Sequence, residues 1–398
     1  MATHKSAEPL AHVSLTLLVG TLVIASIVSP AAAADQGPTS EDLAVPKYDH
    51  IFNIIEENKA YNQIIGSPDA PNINQLSQTY GSATNFYGEV HPSEGNYVAM
   101  IGGSTFGIHD DDAFYCKPGV SDPSCGNTNQ PGYADHTVYS TSLLDQLENQ
   151  GLTWKGYFED IPSTGSKIVN YPDSTNALYA AKHNGFINFA KVQNDPKESA
   201  KLVGINQLTA DLQSGNVPNY SHIVYNQCNE MHGLPSCNGV QQNIQQGDAV
   251  VAQTVKQIQN SPLWSSPGNN AIVITWDEDN NPSVKTDTQG CCGYDPKSDA
   301  NFGGGHIATV VITNHGPKGV QDDTPYNHYS LLRTTEDAFG INDYLNYAGD
   351  TADGVKAMTP LFATTPVPEP SSVFLDTVAF GTLLGAGLAL KRKQKTQK

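Results

Sequence analysis

The sequence predicts an α/β protein, a three-layer α/β/α sandwich built on a mainly parallel central sheet. Three observations predict it. Short apolar strands alternate with helical runs through the body of the chain, the pattern of a sheet covered on both faces. Several of those strands run directly into polar clusters. No internal repeat or long linker interrupts the alternation, and 398 residues suffice for one large domain or two ordinary ones.

The elements follow in order. Residues 48–55 (Tyr-Asp-His-Ile-Phe-Asn-Ile-Ile) read as a first strand ending at Glu56, Glu57 and Asn58. Residues 140–150 read as a helix, with Ser142 as a capping residue ahead of Leu143, Leu144 and Leu147 and Gly151 closing the run. Residues 221–225 form a short strand entering Asn226, and 247–258 a second helix. Residues 271–276 (Ala-Ile-Val-Ile-Thr-Trp) are a buried strand that stops at Asp277 and Glu278. A further apolar strand covers 307–313, and a helix closed by Gly340 covers 329–339. Gly-, Pro-, Asn- and Ser-rich stretches, 117–135 and 279–305 above all, are surface loops. In open α/β sheets ligands bind beyond the carboxyl ends of the strands. The strand ends at Glu57-Asn58, Asn226 to Glu230 and Asp277-Glu278 are therefore expected to meet at one site.

The termini read as sorting signals. Lys5, the apolar run 15–28 and the small residues 31–34 have the order of an export leader, too short for a resident membrane helix. With no twin arginine, the general secretion route is expected, with residues 1–34 removed near Asp35. At the other end, Pro368-Glu369-Pro370 precedes an apolar segment, 373–390, and the basic cluster Lys391, Arg392, Lys393 and Lys395. Such a segment nearly spans a bilayer, and its basic end is expected to stay cytoplasmic. The order of the three parts resembles the bacterial PEP-CTERM sorting signal. That resemblance implies an exported, transiently membrane-anchored protein whose tail, 366–398, is removed by exosortase-type machinery. The body between, 35–365, is expected to be a single functional domain at the cell surface, in the periplasm or outside.

Composition narrows the partners. Outside residues 1–34 and 366–398, 15 Lys and Arg face 37 Asp and Glu, a net charge near −22. That field repels a nucleic-acid backbone, so DNA and RNA binding are excluded as leading readings, and an anionic substrate must be drawn in locally. All six cysteines lie in the exported body, which favours disulfides. Cys116 with Cys125, and Cys228 with Cys237, each bracket a short loop. The partners of the adjacent Cys291 and Cys292 are not readable. A zinc site competes, but no paired Cys-x-x-Cys spacing supports it.

The clusters carry the chemistry. Adjacent carboxylates at Glu57 and at Asp277-Glu278 repel, and burying them together is costly unless a cation sits between them. An oxygen-rich set with an amide and no thiolate suits one hard divalent ion such as Mg²⁺, Ca²⁺ or Mn²⁺; the bland alternative is solvated strand-end caps. Ser93, ahead of the apolar run 97–101, is by position an N-cap, and a helix N-terminus also receives anions. A serine there becomes a nucleophile if a metal lowers its pKa. His183, His232, His306 and His328 are ambiguous taken singly.

In order, the motifs Ile-Glu-Glu-Asn-Lys-Ala-Tyr, His-Pro-Ser-Glu-Gly-Asn-Tyr, Gly-Tyr-Phe-Glu-Asp-Ile-Pro, Lys-His-Asn-Gly-Phe, Asn-Glu-Met-His-Gly, Thr-Trp-Asp-Glu and Tyr-Asn-His-Tyr-Ser-Leu-Leu-Arg resemble the phosphoesterase family. That family holds acid phosphatases and bacterial phospholipases C and belongs to the alkaline-phosphatase-like superfamily. The resemblance implies Glu57, Asn58, Asp277 and Glu278 as ligands of one metal, with Ser93 as the nucleophile that also touches it. It implies that Asn96 holds a phosphoryl oxygen and that His183 and His232 contact the phosphoryl group. His306, His328, Glu159 and Glu230 are further candidates without an assigned role. Gly95 and Gly185 stand where the family usually has Pro, and Glu230 where Asp is commoner. The expected activity is hydrolysis of small-molecule phosphomonoesters through a phosphoserine, with an acidic-to-neutral optimum set by cationic His183 and His232. Phospholipase C or other phosphodiesterase action is the alternative within the enzymes. A non-catalytic surface or matrix-binding protein is the alternative from another class.

Overall fold

The computed structural model describes residues 44–112, 116–120, 125, 127–237, 239–280, 288–293 and 302–364. The expected leader 1–34, the tail 366–398 with its apolar segment, and much of the 279–305 loop lie outside the described residues. Among the described residues no helix is long and apolar enough to cross a membrane.

The strands are β1 (His50–Glu56), β2 (Gly81–Tyr87), β3 (Trp154–Phe158), β4 (Asn170–Tyr171), β5 (Tyr179–Ala180), β6 (Leu202–Gly204), β7 (Tyr220–Val224), β8 (Asn270–Trp276), β9 (His306–Thr313), β10 (Val320–Asp322) and β11 (Tyr326–Asn327). Nine of them form one sheet, in the order β10-β2-β9-β8-β1-β7-β3-β6 with β11 beside β2; β4 and β5 make a small separate hairpin. Pairings along the sheet are parallel except at β9, which runs against both β2 and β8. The expected mainly parallel α/β/α sandwich is thus the fold, with one reversed strand inside it. β7 and β8 are buried at every residue, as strands must be when helices cover both faces of the sheet. The helix Pro71–Thr79 packs on the helix Val240–Gln259 and on β2 and β9. A second group joins the helix Glu94–Gly102 to the helix His328–Ala338.

The apolar strands are found where the sequence puts them. β2 was not foreseen: Gly-Ser-Ala-Thr-Asn-Phe-Tyr has no apolar run, and its burial comes from β9 and the helices above it. The helix predicted over 247–258 extends from Val240 to Gln259, because its first turn is exposed and polar and carries little periodicity. At the helix Leu143–Asn149 the Asp145 carboxylate accepts from both the N–H and the hydroxyl of Ser142, at 2.9 and 2.8 Å.

Far from the sheet's functional edge, Glu148 accepts from Trp154 Nε1 at 2.8 Å, from Lys191 at 2.6 Å and from Lys201. Burial opposes its ionisation, but the two ammonium groups hold its carboxyl down to about 2. A depressed carboxylate stabilises the fold above its unfolded pKa of about 4.3 and stops doing so as pH falls toward the folded value. Glu148→Gln is expected to lose about 1 kcal/mol at pH 7 after allowance for partial solvent screening. Denaturant melts from pH 7 downward should show the gap to the wild type narrowing below about pH 4.

Candidate active site

β1 aligns Ile55 with Val224 of β7 and Glu56 with Trp276 of β8, and β3 aligns Phe158 with Val224. These four strands therefore end together. β2 reaches the same edge through β9, which pairs Thr309 with Thr275 and His306 with Tyr87. Glu57, Glu159, the 226–230 turn, Asp277-Glu278 and the loop leading to Ser93 all emerge at one edge, as expected of a parallel sheet.

Main-chain bonds lock the edge. Glu57 N–H donates to the Glu230 carbonyl at 2.7 Å, and Asn58 N–H to Asp277 Oδ1 at 3.0 Å. Ser93 does not cap its helix with its side chain. It has helical backbone angles (φ −45°, ψ −48°), and its Oγ donates instead to Glu278 Oε1 at 3.2 Å. Ser93 is the N-cap by position, as expected, but its hydroxyl points at a carboxylate and not at its own helix. Glu278 is held from the other side by His91 Nδ1.

His183 lies between two buried carboxylates, with Nδ1 at 2.7 Å from Glu230 and Nε2 at 2.9 Å from Glu57. Its ring stacks on Tyr97 and lies 5.5 Å from that of His232. His232 donates from Nδ1 to the Gly233 carbonyl at 2.8 Å, which leaves Nε2 free to accept or to bind a metal. Glu57, His183 and His232 each offer a ligand atom within 4.8 Å of the others.

Whether a cation fits is decided by unpaired atoms. Glu57 Oε2, Glu230 Oε2 and Asp277 Oδ2 are buried without a hydrogen-bond partner, while the other oxygens of Glu57 and Glu230 face His183. Buried acceptors without donors are unfavourable, and a divalent ion satisfies several at once. The donor set is wider than the all-oxygen set expected from the sequence, since imidazole nitrogens stand among the carboxylates.

The electrostatics agree. Burial pushes Asp277 well above the ordinary carboxylate range, and Glu57 and Glu278 push it further. Burial also raises Glu278, against the opposing pull of His91. Glu57 is buried too, yet the His183 ring beside it holds its carboxyl well below the usual value. Burial opposes the His183 cation, but Glu230 and Glu57 push its pKa up to about 10, while burial lowers His232. The two histidines are thus driven in opposite directions, His183 up by its flanking carboxylates and His232 down by burial.

The other candidates are engaged by neighbours of their own. Asn58 Oδ1 accepts from Lys59 Nζ at 3.2 Å. Asn96 braces the preceding loop, accepting from the N–H groups of Glu89 (2.8 Å) and Val90 (3.1 Å) and donating to the Val90 carbonyl (2.8 Å). That engagement competes with the phosphoryl contact implied for it. Glu159 accepts from Asn226 N–H at 3.1 Å and Asn229 Nδ2 at 2.7 Å, so it shapes the turn carrying Glu230. His306 stacks between Tyr61 and Tyr87 with Nε2 on the Thr84 carbonyl at 2.9 Å. His328 is fully buried behind the edge. At Gly95 a side chain would meet the Ile108 carbonyl at 2.5 Å, so this chain's loop closes where the family's proline would stand.

Sequence reasoning passed over three charged groups that sit inside motifs it did quote. Lys59 is buried among Glu57, Asp277 and Glu230. Lys182 donates to Asp111 at 2.9 Å, and its charge acts on both Glu57 and Asp277. Glu94, next to Ser93, is buried against His136 Nδ1 (2.8 Å) and Asn188 Nδ2 (2.6 Å). Their adjacency to Asn58, His183 and Ser93 was the only available signal. The cysteines pair as Cys116–Cys125, Cys228–Cys237 and Cys291–Cys292, which removes the zinc alternative for them.

A parallel-sheet edge that gathers a serine, buried carboxylates and histidines has the makings of a hydrolase. The sequence profile of the Phosphoesterase family matches residues 67–342, and the chain belongs to that family: it is a hydrolase acting on phosphoric ester bonds. It is 26% identical over 334 residues to a phosphatidylinositol-3-phosphatase of Mycobacterium tuberculosis, covering 84% of this chain and 91% of that one. It is 25% identical over 323 residues to an acid phosphatase of Aspergillus fumigatus, covering 79% of this chain but only 60% of that enzyme's length. Among solved structures, an alkaline phosphatase superfamily protein from Vibrio parahaemolyticus superposes with a TM-score of 0.44 at 13% identity, covering 75% of this chain and 68% of that one.

Proposed function

We propose that this chain is an exported, metal-dependent phosphomonoesterase that works through a phosphoserine at Ser93. The observation that carries the reading is the Ser93 hydroxyl aimed at Glu278, together with buried Glu57 Oε2 and Asp277 Oδ2 that have no hydrogen-bond partner. A divalent cation would be held by Glu57 and Asp277, with Glu278, Asn58 and Ser93 or with His232, and would supply positive charge for a phosphoryl oxygen and for the serine alkoxide.

The chain's own groups do the rest. Glu278 receives the Ser93 proton. Ser93 Oγ bonds to phosphorus as the ester P–O bond breaks, and the leaving alkoxide takes up a proton. Water then attacks the phosphoserine, releasing inorganic phosphate and restoring the hydroxyl. His183, held cationic by two carboxylates, and Lys182 supply fixed positive charge to the equatorial oxygens; such preorganised charge is the main source of rate in phosphoryl transfer. The three disulfides and the leader-like residues 1–34 support an oxidising, extracytoplasmic compartment. The tail 366–398 supports exosortase-type processing.

Substrate class is tested by turnover of 4-nitrophenyl phosphate, bis(4-nitrophenyl) phosphate and phosphatidylinositol 3-phosphate side by side. The monoesters are expected to exceed the diester in kcat/KM by at least about tenfold. A diester preference would replace this reading with a phosphodiesterase, the phospholipase C alternative. Export is tested by the mass of protein from its native host, expected to start near Asp35 and to lack residues 366–398.

A further inference from the structure

We propose that His328 is a positioning residue that fixes the nucleophile's loop against the strand carrying Asp277. It touches neither the substrate nor the carboxylate cluster, and acts through two backbone segments that do reach the site.

His328 opens the helix His328–Ala338 and has no exposed surface; neither has Glu89. The His328 N–H donates to Glu89 Oε1 at 2.9 Å, and its ring Nδ1 meets Glu89 Oε2. Its Nε2 meets the Trp276 carbonyl at 2.8 Å. Glu89 lies four residues before Ser93, and Trp276 immediately precedes Asp277. One imidazole therefore bridges the loop of the nucleophile and the last peptide of the strand ahead of the acidic pair.

The proton count fixes what the bridge is. A carbonyl only accepts, so Nε2 must carry a proton. Nδ1 then either donates to an ionised Glu89 or accepts from a protonated one. In both cases the pair is neutral overall, as complete burial requires.

Neighbouring contacts make the bridge rigid. Asn96 accepts from the N–H groups of Glu89 and Val90, so the loop is gripped from the Ser93 helix as well as from His328. A side chain at Gly88 would stand 2.7 Å from the Asp277 carbonyl, so the two segments lie in direct backbone contact. Asn327 donates from Nδ2 to the carbonyls of Cys291 and Cys292, at 2.8 and 3.0 Å, anchoring the residue before His328. Reacting groups displaced by a fraction of an ångström lose rate while binding is largely kept.

The test uses the full mature protein, His328→Ala and Glu89→Gln, with 4-nitrophenyl phosphate turnover and amide hydrogen exchange. Only the turnover arm rests on the phosphatase reading. His328→Ala is expected to lower kcat about a hundredfold with KM changed less than about threefold. It should also speed exchange at residues 88–93 and 276–279 while β1 stays protected. Glu89→Gln should keep at least about a third of kcat, because a glutamine can accept from the His328 N–H and donate to a neutral Nδ1. If His328→Ala does not fold, His328→Gln replaces it, with the same signs expected. A folded variant with kcat within about threefold of wild type, or with unchanged exchange at both segments, overturns the inference. So does a loss in Glu89→Gln as large as that in His328→Ala. If the wild type turns over no phosphomonoester, the function reading fails and hydrogen exchange alone decides this one.

Discussion

Ser93→Ala is expected to fold like the wild type and to lose at least about a thousandfold in kcat. The fold should survive for a local reason. Ser93 already has helical backbone angles, and its side chain donates a hydrogen bond to Glu278 at 3.2 Å. Alanine suits that backbone better than serine does, and the deleted oxygen leaves little space behind. The rate should not survive, because on the proposed mechanism Ser93 Oγ is the atom that forms the covalent intermediate. Removing a nucleophile from a site that otherwise still binds and polarises its substrate leaves only a small residual acceleration. Circular dichroism and thermal melts beside turnover separate the two effects. Wild-type-like turnover in folded Ser93→Ala would remove Ser93 from the chemistry.

The second large effect concerns Asp277. It is fully buried, its Oδ1 receives the Asn58 N–H at 3.0 Å, and its Oδ2 has no partner. Asp277→Asn keeps the volume and can still accept that N–H while removing the charge. Bound divalent metal is expected to fall below about a tenth of the wild-type content, and kcat by at least about a thousandfold. A stability readout accompanies this. On the proposed reading a cation relieves the repulsion among Glu57, Asp277 and Glu278, so chelation should lower the wild-type melting temperature. In Asp277→Asn chelation should lower it much less. Equal metal content and equal chelator response in the two proteins would show that the carboxylates do not hold an ion.

Much of this was legible in the sequence, and for a physical reason. β1, β7 and β8 are apolar runs that stop at charged or amide residues, so both the strand and its functional end are written locally. Parallel topology then brings those ends together without further information. β2 was not legible because its burial is conferred by β9 and the covering helices, not by its own residues. The antiparallel setting of β9 was hidden too, since an apolar strand does not record its direction. Within the site, residue types were visible but partners were not. Nothing in Asn-Glu-Met-His-Gly says that Glu230 will press on His183, which lies 47 positions earlier in the chain. Lys182 and Glu94 were passed over because a charged residue is usually solvated; the fold leaves Lys182 half-buried on Asp111 near Glu57 and buries Glu94 against His136 and Asn188. Asn96 shows the converse. The family resemblance gave it a ligand, and the structure gives it the backbone of its own loop.

The most direct measurement of the central claim is to quench the enzyme during turnover of a phosphomonoester and map the phosphoryl group by peptide mass spectrometry. The account predicts one phosphoryl group, on Ser93, that accumulates when the second step is slowed and disappears on a chase with water alone. An enzyme that turns over steadily with Ser93 unmodified, or with the phosphoryl group on another residue such as His183, would contradict it.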